Sequence, residues 1–245
     1  MHKKVLVIIP AYNEEESIGE FMNKLFNAKI DEWADVLIID DGSVDDTVKN
    51  AKEFKVKVIS QIYNLGYGAA LQLGYKYAEK EGYEYVIQLD ADGQHDVCNI
   101  ERIYEALTSK TGANPDIVIG SRFLKESVSF KVSGMKKIVI IFFRWIIKTI
   151  GKIEVTDPTS GLQGLNKKAF SYYGEYGNFD YKYPDINMIM QMVLLGFSIK
   201  EIPAVMHERT SGSSMHNGII KPIIYMVLMM MSTLNTIIRS KKAKN

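Results

Sequence analysis

The chain has 245 residues, 47% of them hydrophobic, which is enough for one large α/β domain with a substantial core. Its formal net charge of +1 gives no overall electrostatic attraction to nucleic acid, so we expect no nucleic-acid partner. The single cysteine, Cys98, excludes an internal disulfide and is typical of a reducing compartment. The first apolar run is too short for a signal-peptide core, so we expect no export.

Short apolar runs rich in β-branched residues alternate with helix-length segments along the first half of the chain. Buried parallel strands are predicted at residues 5–9, 36–39, 56–59, 85–89 and 117–119. A first helix is predicted to begin at Asn13 as N-cap, with Glu16 as its capping-box partner. Two further helices are predicted to start at Asp45-Asp46-Thr47 and to span residues 67–80. This alternation predicts a doubly wound sheet, which binds ligands at the carboxyl ends of its strands.

Two carboxylates, Asp90 and Asp92, follow the fourth predicted strand. Residues i and i+2 of an extended segment point to the same side, so both side chains can reach one hard divalent cation. Mg²⁺ is usually held by only one or two protein carboxylates, and water and substrate phosphates complete its coordination. The local alternative is that Asp90 caps a turn and that Asp92-Gly93 is a turn sequence.

Polar groups also follow the first two predicted strands, as Pro10-Ala11-Tyr12-Asn13-Glu14 and as Asp40-Asp41-Gly42-Ser43. If these strands are neighbours, Tyr12 could flank a flat base while Glu14 or Asp40 accepts hydrogen bonds from the base or the ribose. The local alternative for each group is ordinary turn and capping chemistry. No Gly-x-Gly-x-x-Gly follows the first strand and no P-loop lysine is present, which disfavours a dinucleotide dehydrogenase or a P-loop enzyme.

Five motifs follow one another along the chain: Pro10-Ala11-Tyr12-Asn13-Glu14-Glu15, Asp40-Asp41-Gly42-Ser43-Val44-Asp45, Asn64-Leu65-Gly66-Tyr67-Gly68-Ala69-Ala70, Asp90-Ala91-Asp92-Gly93-Gln94-His95 and Gly120-Ser121-Arg122. They stand in the order seen in family 2 glycosyltransferases of GT-A fold, and the chain resembles the polyprenyl-phosphate branch of that family, which includes the dolichol-phosphate mannosyltransferases. The likeness implies a GT-A type, mainly parallel, Rossmann-like sheet in a catalytic domain at residues 1–215. An apolar C-terminal helix with a basic tail would follow at residues 216–245.

The resemblance implies metal-dependent, inverting transfer of one hexose from a UDP- or GDP-linked sugar to a polyprenyl phosphate at the cytoplasmic face of the membrane. It implies that Mg²⁺ or Mn²⁺ is ligated by Asp90, Asp92 and Gln94. The residues it assigns to the nucleotide sugar are Pro10, Tyr12, Glu14, Asp40, Asp41, Gly68, Asp90, Ala91 and Asp92. Those it assigns to the acceptor phosphate are Arg122, Lys137, Ser160, Arg209 and Ser213.

The catalytic candidates are Arg122, Asp157 and Arg209. Asp157 lies in a segment, Thr156 to Leu162, that resembles the family's acceptor-side motif, and it is the candidate acid-base or orienting group. A hydroxyl acceptor needs a general base to remove its proton, whereas a lipid phosphate is already an oxyanion, so Asp157 could serve there only to position other groups. The local alternative is that Asp157 starts a proline turn.

Two apolar segments of the second half predict membrane-associating amphipathic helices. In the first, at about residues 134–151, Lys137, Arg144 and Lys148 fall on one helix face with Trp145 on the apolar remainder, which is typical of an interfacial helix. A buried core helix is the alternative. The second, residues 222–238, spans roughly 25 Å at about 1.5 Å per residue, short of a roughly 30 Å hydrocarbon core. We expect it to lie obliquely or in the interface rather than to span.

These segments predict a peripheral or monotopic protein, and an integral-membrane partner protein could supply the membrane helices that some relatives carry. Two other functions fit the sequence. One is a transferase that uses a glycan or protein hydroxyl as acceptor, for which Asp157 would be the base. The other is an inactive membrane-bound scaffold, against which the intact Asp90 and Asp92 weigh.

Overall fold

The computed structural model describes residues 3–109, 112–130, 134–208 and 220–242. Its strands are β1 Val5–Ala11, β2 Ala34–Asp40, β3 Lys57–Ser60, β4 Tyr85–Gln88, β5 Ile117–Ser121, β6 Gln163–Asn166 and β7 Ile199–Pro203. Its helices are α1 Ile18–Asn27, α2 Ile30–Trp33, α3 Thr47–Lys52, α4 Tyr67–Glu81, α5 Cys98–Leu107, α6 Gly134–Ile146, α7 Lys167–Gly174, α8 Ile186–Leu194 and α9 Ile220–Lys242.

One sheet of seven strands, in the order β3-β2-β1-β4-β6-β5-β7, forms the centre of the described part of the molecule. β1 pairs in parallel with β2 and β4, and β2 pairs in parallel with β3. The short β6 is antiparallel to both of its neighbours, and β5 and β7 are again parallel. The five strands predicted from apolar runs are confirmed, and so is the doubly wound, mainly parallel architecture.

Helices cover both faces of the sheet, so every residue of β1 is buried. On one face, α1, α3 and α5 bury side chains such as Phe21, Ala51 and Ile100 against the sheet. On the other face, α4 and α6 to α9 contribute a second cluster that includes Tyr75 and Phe143. Burial on both faces explains why the central strands are almost uninterrupted apolar runs.

The first helix begins at Ile18, so the predicted N-cap at Asn13 is wrong. Asn13 has a left-handed φ of 53°, and its side-chain oxygen accepts a hydrogen bond from the Val44 amide at 3.0 Å. The Ser17 amide donates to the Glu14 carbonyl at 3.1 Å, so the acids form a turn ahead of the helix. The predicted starts of α3 and α4 are confirmed.

The helix predicted at residues 134–151 exists, and α6 continues as one π-helical turn, Ile147–Gly151. Phe143 and Ile147 are buried in the core, whereas Trp145 is 62% exposed. The prediction of an exposed basic face is wrong at Arg144, whose guanidinium turns inward and lies 4.5 Å over the Phe123 ring. Lys148 remains exposed and pairs with Glu154. The outer face of α6 is therefore more apolar than the sequence pattern predicted.

The C-terminal helix α9 packs against α8 by burying Met229, Thr233 and Ile237. Its Ser232 hydroxyl accepts a hydrogen bond of 2.8 Å from the Asn187 side chain. Its outward residues include exposed Val227, Met231, Leu234 and Ile238. Among the described residues, no helix combines the length and the apolarity needed to cross a membrane. The domain boundary predicted at residue 215 lies outside the described residues.

Candidate active site

Three strand ends that the sequence marks as polar meet at one edge of the sheet. Ala11 at the end of β1 is in register with Asp40 at the end of β2. On the other side of β1, Ile8 is in register with Gln88, which ends β4 two residues before Asp90. The condition that the first strands are neighbours is therefore met, and the candidate donor residues share one edge.

The candidate donor side is built on the ends of β1 and β2. Asp40 is buried and accepts a hydrogen bond from the Ser43 amide at 2.9 Å. Tyr12 is 44% exposed beside it, and Pro10 is buried within β1. Glu14 is half-buried, and its carboxylate accepts a hydrogen bond of 2.6 Å from the Ser17 hydroxyl. Tyr12 is thus the accessible aromatic of this group.

Asp41 ties the end of β2 to the start of α4. Its two carboxylate oxygens accept hydrogen bonds from the amides of Leu65, at 2.8 Å, and Gly66, at 2.9 Å. Burial raises the pKa of Asp41 above its ordinary value, and the two amide donors oppose that shift. Both oxygens are therefore engaged in shaping the loop that leads into α4.

Gly68 stands where α4 passes another backbone segment. A Cβ at this position would lie 2.2 Å from the Asp180 carbonyl oxygen and 2.5 Å from that of Tyr181. The Ala69 amide donates to the Tyr181 carbonyl at 3.2 Å in the same contact. Glycine is needed here because two backbones approach more closely than a side chain permits.

The Asp90 to His95 segment follows β4. Asp90 is half-buried, and its amide donates to Nδ1 of the buried His95 at 3.1 Å. Asp92 accepts a hydrogen bond from the Gln94 amide at 3.0 Å. Ala91 between the carboxylates is buried. His95, which the sequence reasoning did not assign, thus holds the backbone of this carboxylate loop.

The donor set of this loop fits a divalent cation. Its oxygens are hard ligands, and two carboxylates leave room for substrate phosphates in the coordination sphere. Gly161 faces Asp90, and a Cβ there would lie 3.2 Å from Oδ2, so the absence of a side chain leaves this oxygen approachable. Among the described residues, no group of three or more His, Cys, Asp or Glu side chains is arranged to hold a metal.

Arg122 and Asp157 form a buried, two-pronged ion pair at the end of β5. The Arg122 Nε donates to Oδ2 and its Nη2 to Oδ1, both at 2.7 Å. The Arg122 amide also donates to Oδ2, and Thr159 donates to Oδ1. Burial lowers the pKa of Arg122, but its pairing with Asp157 outweighs burial and raises that pKa. The side chains are 16% and 0% exposed, respectively.

The loop carrying Asp157 is fixed on both sides. The Thr156 and Asp157 amides donate to the Glu201 carboxylate at 2.7 and 2.8 Å. The Ser160 hydroxyl, also buried, donates to the Gly120 carbonyl at 2.6 Å. Glu201 was not found from the sequence because it lies in β7, far along the chain, and no motif marks it. Asp157 therefore orients Arg122 inside a rigid loop.

The remaining candidates lie on α6 or beyond the described residues. Lys137 is exposed on α6. Arg209 and Ser213 lie outside the described residues. The Arg144 guanidinium also feels the charges of Asp157 and Glu201, which raise its pKa. Burial outweighs both carboxylates and lowers the pKa of Arg144 below its ordinary value.

The chain matches known proteins in sequence and in fold. The profile of glycosyl transferase family 2 matches residues 6–174. A UDP-N-acetylglucosamine–dolichyl-phosphate N-acetylglucosaminyltransferase of Methanococcus voltae is 32% identical over 191 residues, which cover 71% of this chain and 73% of that protein. An undecaprenyl-phosphate mannosyltransferase of Micrococcus luteus is 30% identical over 236 residues, which cover 88% of each.

Among solved structures, glucosyl-3-phosphoglycerate synthase of Mycobacterium tuberculosis, in complex with Mn²⁺, UDP and phosphoglyceric acid, is similar in fold. Its TM-score is 0.65 at 17% identity, with 93% of this chain and 78% of that chain covered. The fold, the profile match and the two relatives agree with the strand-end geometry described above. The chain belongs to glycosyl transferase family 2, and it is a glycosyltransferase with the GT-A type fold that the sequence predicted.

Proposed function

We propose that this enzyme transfers a single hexose, with inversion, from a UDP- or GDP-linked sugar to a polyprenyl phosphate at the cytoplasmic face of the membrane. The observation that carries the acceptor class is the state of Asp157, which is fully buried and bound two-pronged to Arg122. A carboxylate engaged in this way is poorly suited to take a proton from a hydroxyl. A phosphate acceptor needs no such base, because it is already ionised.

The names of the relatives support the same acceptor class. The Methanococcus voltae protein is named for transfer to dolichyl phosphate and the Micrococcus luteus protein for transfer to undecaprenyl phosphate. Both acceptors are polyprenyl monophosphates, although the sugars differ. That the acceptor class is shared while the sugar differs favours a phosphate acceptor for this chain, with the choice of sugar set by a few contacts in the donor pocket.

On the donor side, Tyr12 would contact the base, and Glu14 and Asp40 would accept hydrogen bonds from the base or ribose. Asp90 and Asp92, with Gln94 as a third ligand, would hold Mg²⁺ or Mn²⁺. When bound, the cation would act as a Lewis acid that stabilises the departing nucleoside diphosphate.

On the acceptor side, the Arg122 guanidinium would bind the lipid phosphate while Asp157 keeps its plane fixed. Ser160 would hold the loop in place, and Lys137 on α6 would add positive charge. Arg209 and Ser213 would contribute from the segment outside the described residues.

The exposed apolar residues of α6 support the proposal that this enzyme binds a membrane surface. Ile138, Ile141 and Trp145 are each at least 60% exposed, on the helix that also carries Lys137 and Arg144. Exposed aliphatic and aromatic side chains beside lysines are typical of a helix lying in a bilayer interface. We infer peripheral binding to the membrane, with an integral-membrane partner as a further proposal.

The test is a panel of UDP- and GDP-sugars incubated with the purified chain and a short polyprenyl phosphate, with Mg²⁺, with Mn²⁺ or with a chelator. We expect a lipid-linked monosaccharide only when metal is present, with NMR showing a β-linked product from an α-linked donor. A product formed only on a hydroxyl acceptor, or no product with any donor, would refute the proposed function.

A further inference from the structure

Tyr67 has not been assigned a role in the candidate site, yet its hydroxyl contacts Asp90, one of the two candidate metal-binding carboxylates. It is the first residue of α4, and its hydroxyl donates a hydrogen bond of 2.9 Å to Oδ1 of Asp90. We propose that Tyr67 is a positioning residue, whose hydroxyl holds the Asp90 carboxylate in the orientation that binds the divalent cation. The inference rests on the proposed function, because that function makes Asp90 a metal ligand.

The backbone that carries Tyr67 is fixed on both sides, as a positioning group requires. The preceding amides of Leu65 and Gly66 donate to Asp41, and the following Ala69 amide donates to the Tyr181 carbonyl. The hydroxyl therefore reaches Asp90 from a rigid support.

Gly161 faces the other oxygen of the Asp90 carboxylate. An ideal Cβ on Gly161 would lie 3.2 Å from both Oδ2 of Asp90 and the Tyr67 hydroxyl. The Gly161 carbonyl accepts a hydrogen bond of 3.0 Å from the Gln88 side chain, whose own oxygen accepts one from Tyr75. One oxygen of Asp90 is thus bound by the Tyr67 hydroxyl, and the other is left approachable beside a glycine whose backbone is fixed.

A hydroxyl that binds a ligand carboxylate limits its rotation and so lowers the entropy lost when a metal binds. Hydrogen-bond partners of metal ligands typically contribute about 10- to 100-fold to metal affinity. We expect Tyr67→Phe, which keeps the ring and removes only the hydroxyl, to weaken Mn²⁺ binding by about that factor.

The experiment uses the full chain and measures free Mn²⁺ by electron paramagnetic resonance, in the presence of UDP and separately of GDP. The matched control is Tyr173→Phe, because the Tyr173 hydroxyl is buried and has no hydrogen-bond partner in the described part of the chain. We expect weaker Mn²⁺ binding in the first variant only. In the activity assay, the Mn²⁺ concentration for half-maximal rate should rise, while kcat at saturating Mn²⁺ stays within a few-fold.

A Tyr67→Phe affinity within twofold of the parent would overturn the inference and leave the proposed function standing, because product formation is measured separately. A parent that binds no Mn²⁺ with either nucleotide would overturn the inference together with metal dependence. If Tyr67→Phe does not fold, Gly161→Ala tests the same contact, because its methyl group would press on Asp90 and Tyr67. Parent-like Mn²⁺ affinity in that variant would also overturn it.

Discussion

Replacing Asp157 with asparagine removes one negative charge from the most buried ion pair of the site. Asp157 is fully buried, and the Arg122 side chain is only 16% exposed, so little water can replace the lost partner. Removing one member of a buried ion pair costs about 3–5 kcal/mol, because the other charge is left uncompensated. We expect Asp157→Asn to lower the free energy of unfolding by that amount. For a chain of this size, Tm should fall by roughly 6–20 °C.

Stability and catalysis are then measured on the same preparation. Urea unfolding followed by circular dichroism gives the change in free energy, and initial rates against pH and acceptor concentration give the catalytic effect. Because Asp157 orients Arg122, we expect the loss to appear mainly as a higher KM for the polyprenyl phosphate. The pH dependence of the residual kcat should match that of the parent, since no general base has been removed.

Asp46→Asn is the matched control, because Asp46 pairs with Lys49 at the surface, where the two side chains are 58% and 70% exposed. Exposed pairs contribute only about 0–1 kcal/mol. An Asp157→Asn variant as stable as this control would refute the energetic reasoning. Loss of one limb of the pH profile would instead identify Asp157 as a base and favour a hydroxyl acceptor.

Three further outcomes are expected. Gly68→Ala would place a Cβ 2.2 Å from the Asp180 carbonyl oxygen, so urea unfolding should show that the free energy of unfolding falls by about 1–3 kcal/mol. Calorimetry should show that the variant binds UDP or GDP with Mn²⁺ more weakly than the parent. Burial and the neighbouring Asp96 raise the pKa of the Cys98 thiol to about 11, so mass spectrometry should show slow alkylation at pH 8 that rises about tenfold per pH unit up to that pKa. Trp145→Ser should reduce binding to lipid vesicles in sedimentation assays, with little dependence on salt, whereas Tyr176→Ser, altered at an exposed residue outside α6, should not.

Of the five strands that were predicted correctly, β1, β2, β4 and β5 are almost entirely buried, whereas the edge strand β3 is partly exposed. A short, continuous apolar run such as that of β1 is typical of a strand covered by helices on both faces of a sheet, so the sequence pattern predicts the strand directly. The segments of β6 and β7 were not predicted, because their sequences, Gln163 to Asn166 and Ile199 to Pro203, mix polar and apolar residues. Their pairing is set by neighbours distant in sequence, which no local pattern records.

Two local predictions failed because tertiary contacts outweighed the local pattern. Asn13 has the residue type of an N-cap, but its side chain binds the Val44 amide in the loop after β2 instead. On a helical projection, Arg144 falls on the same face as Lys137. A projection of one helix cannot show that a residue elsewhere in the fold will cover one of the two cations. The Arg144 guanidinium packs over the ring of Phe123, a residue that is not part of α6, so the sequence of the helix alone does not predict this contact.

One loop, Thr159 to Gly161, lies next to both the candidate donor site and the candidate acceptor site. Thr159 accepts a hydrogen bond of 2.7 Å from Arg122, Ser160 donates to the Gly120 carbonyl, and Gly161 faces the Asp90 carboxylate, where a Cβ would lie 3.2 Å from Oδ2. A displacement of this loop would therefore move the candidate phosphate ligand and the candidate metal ligand together. Substitutions in the loop should change donor and acceptor constants jointly, whereas a change at the base-side carboxylates should alter the donor constants alone. The residues after β4 and those after β5 are far apart in the sequence. The short antiparallel β6, which follows the loop, pairs with both strands and so places the loop next to both groups.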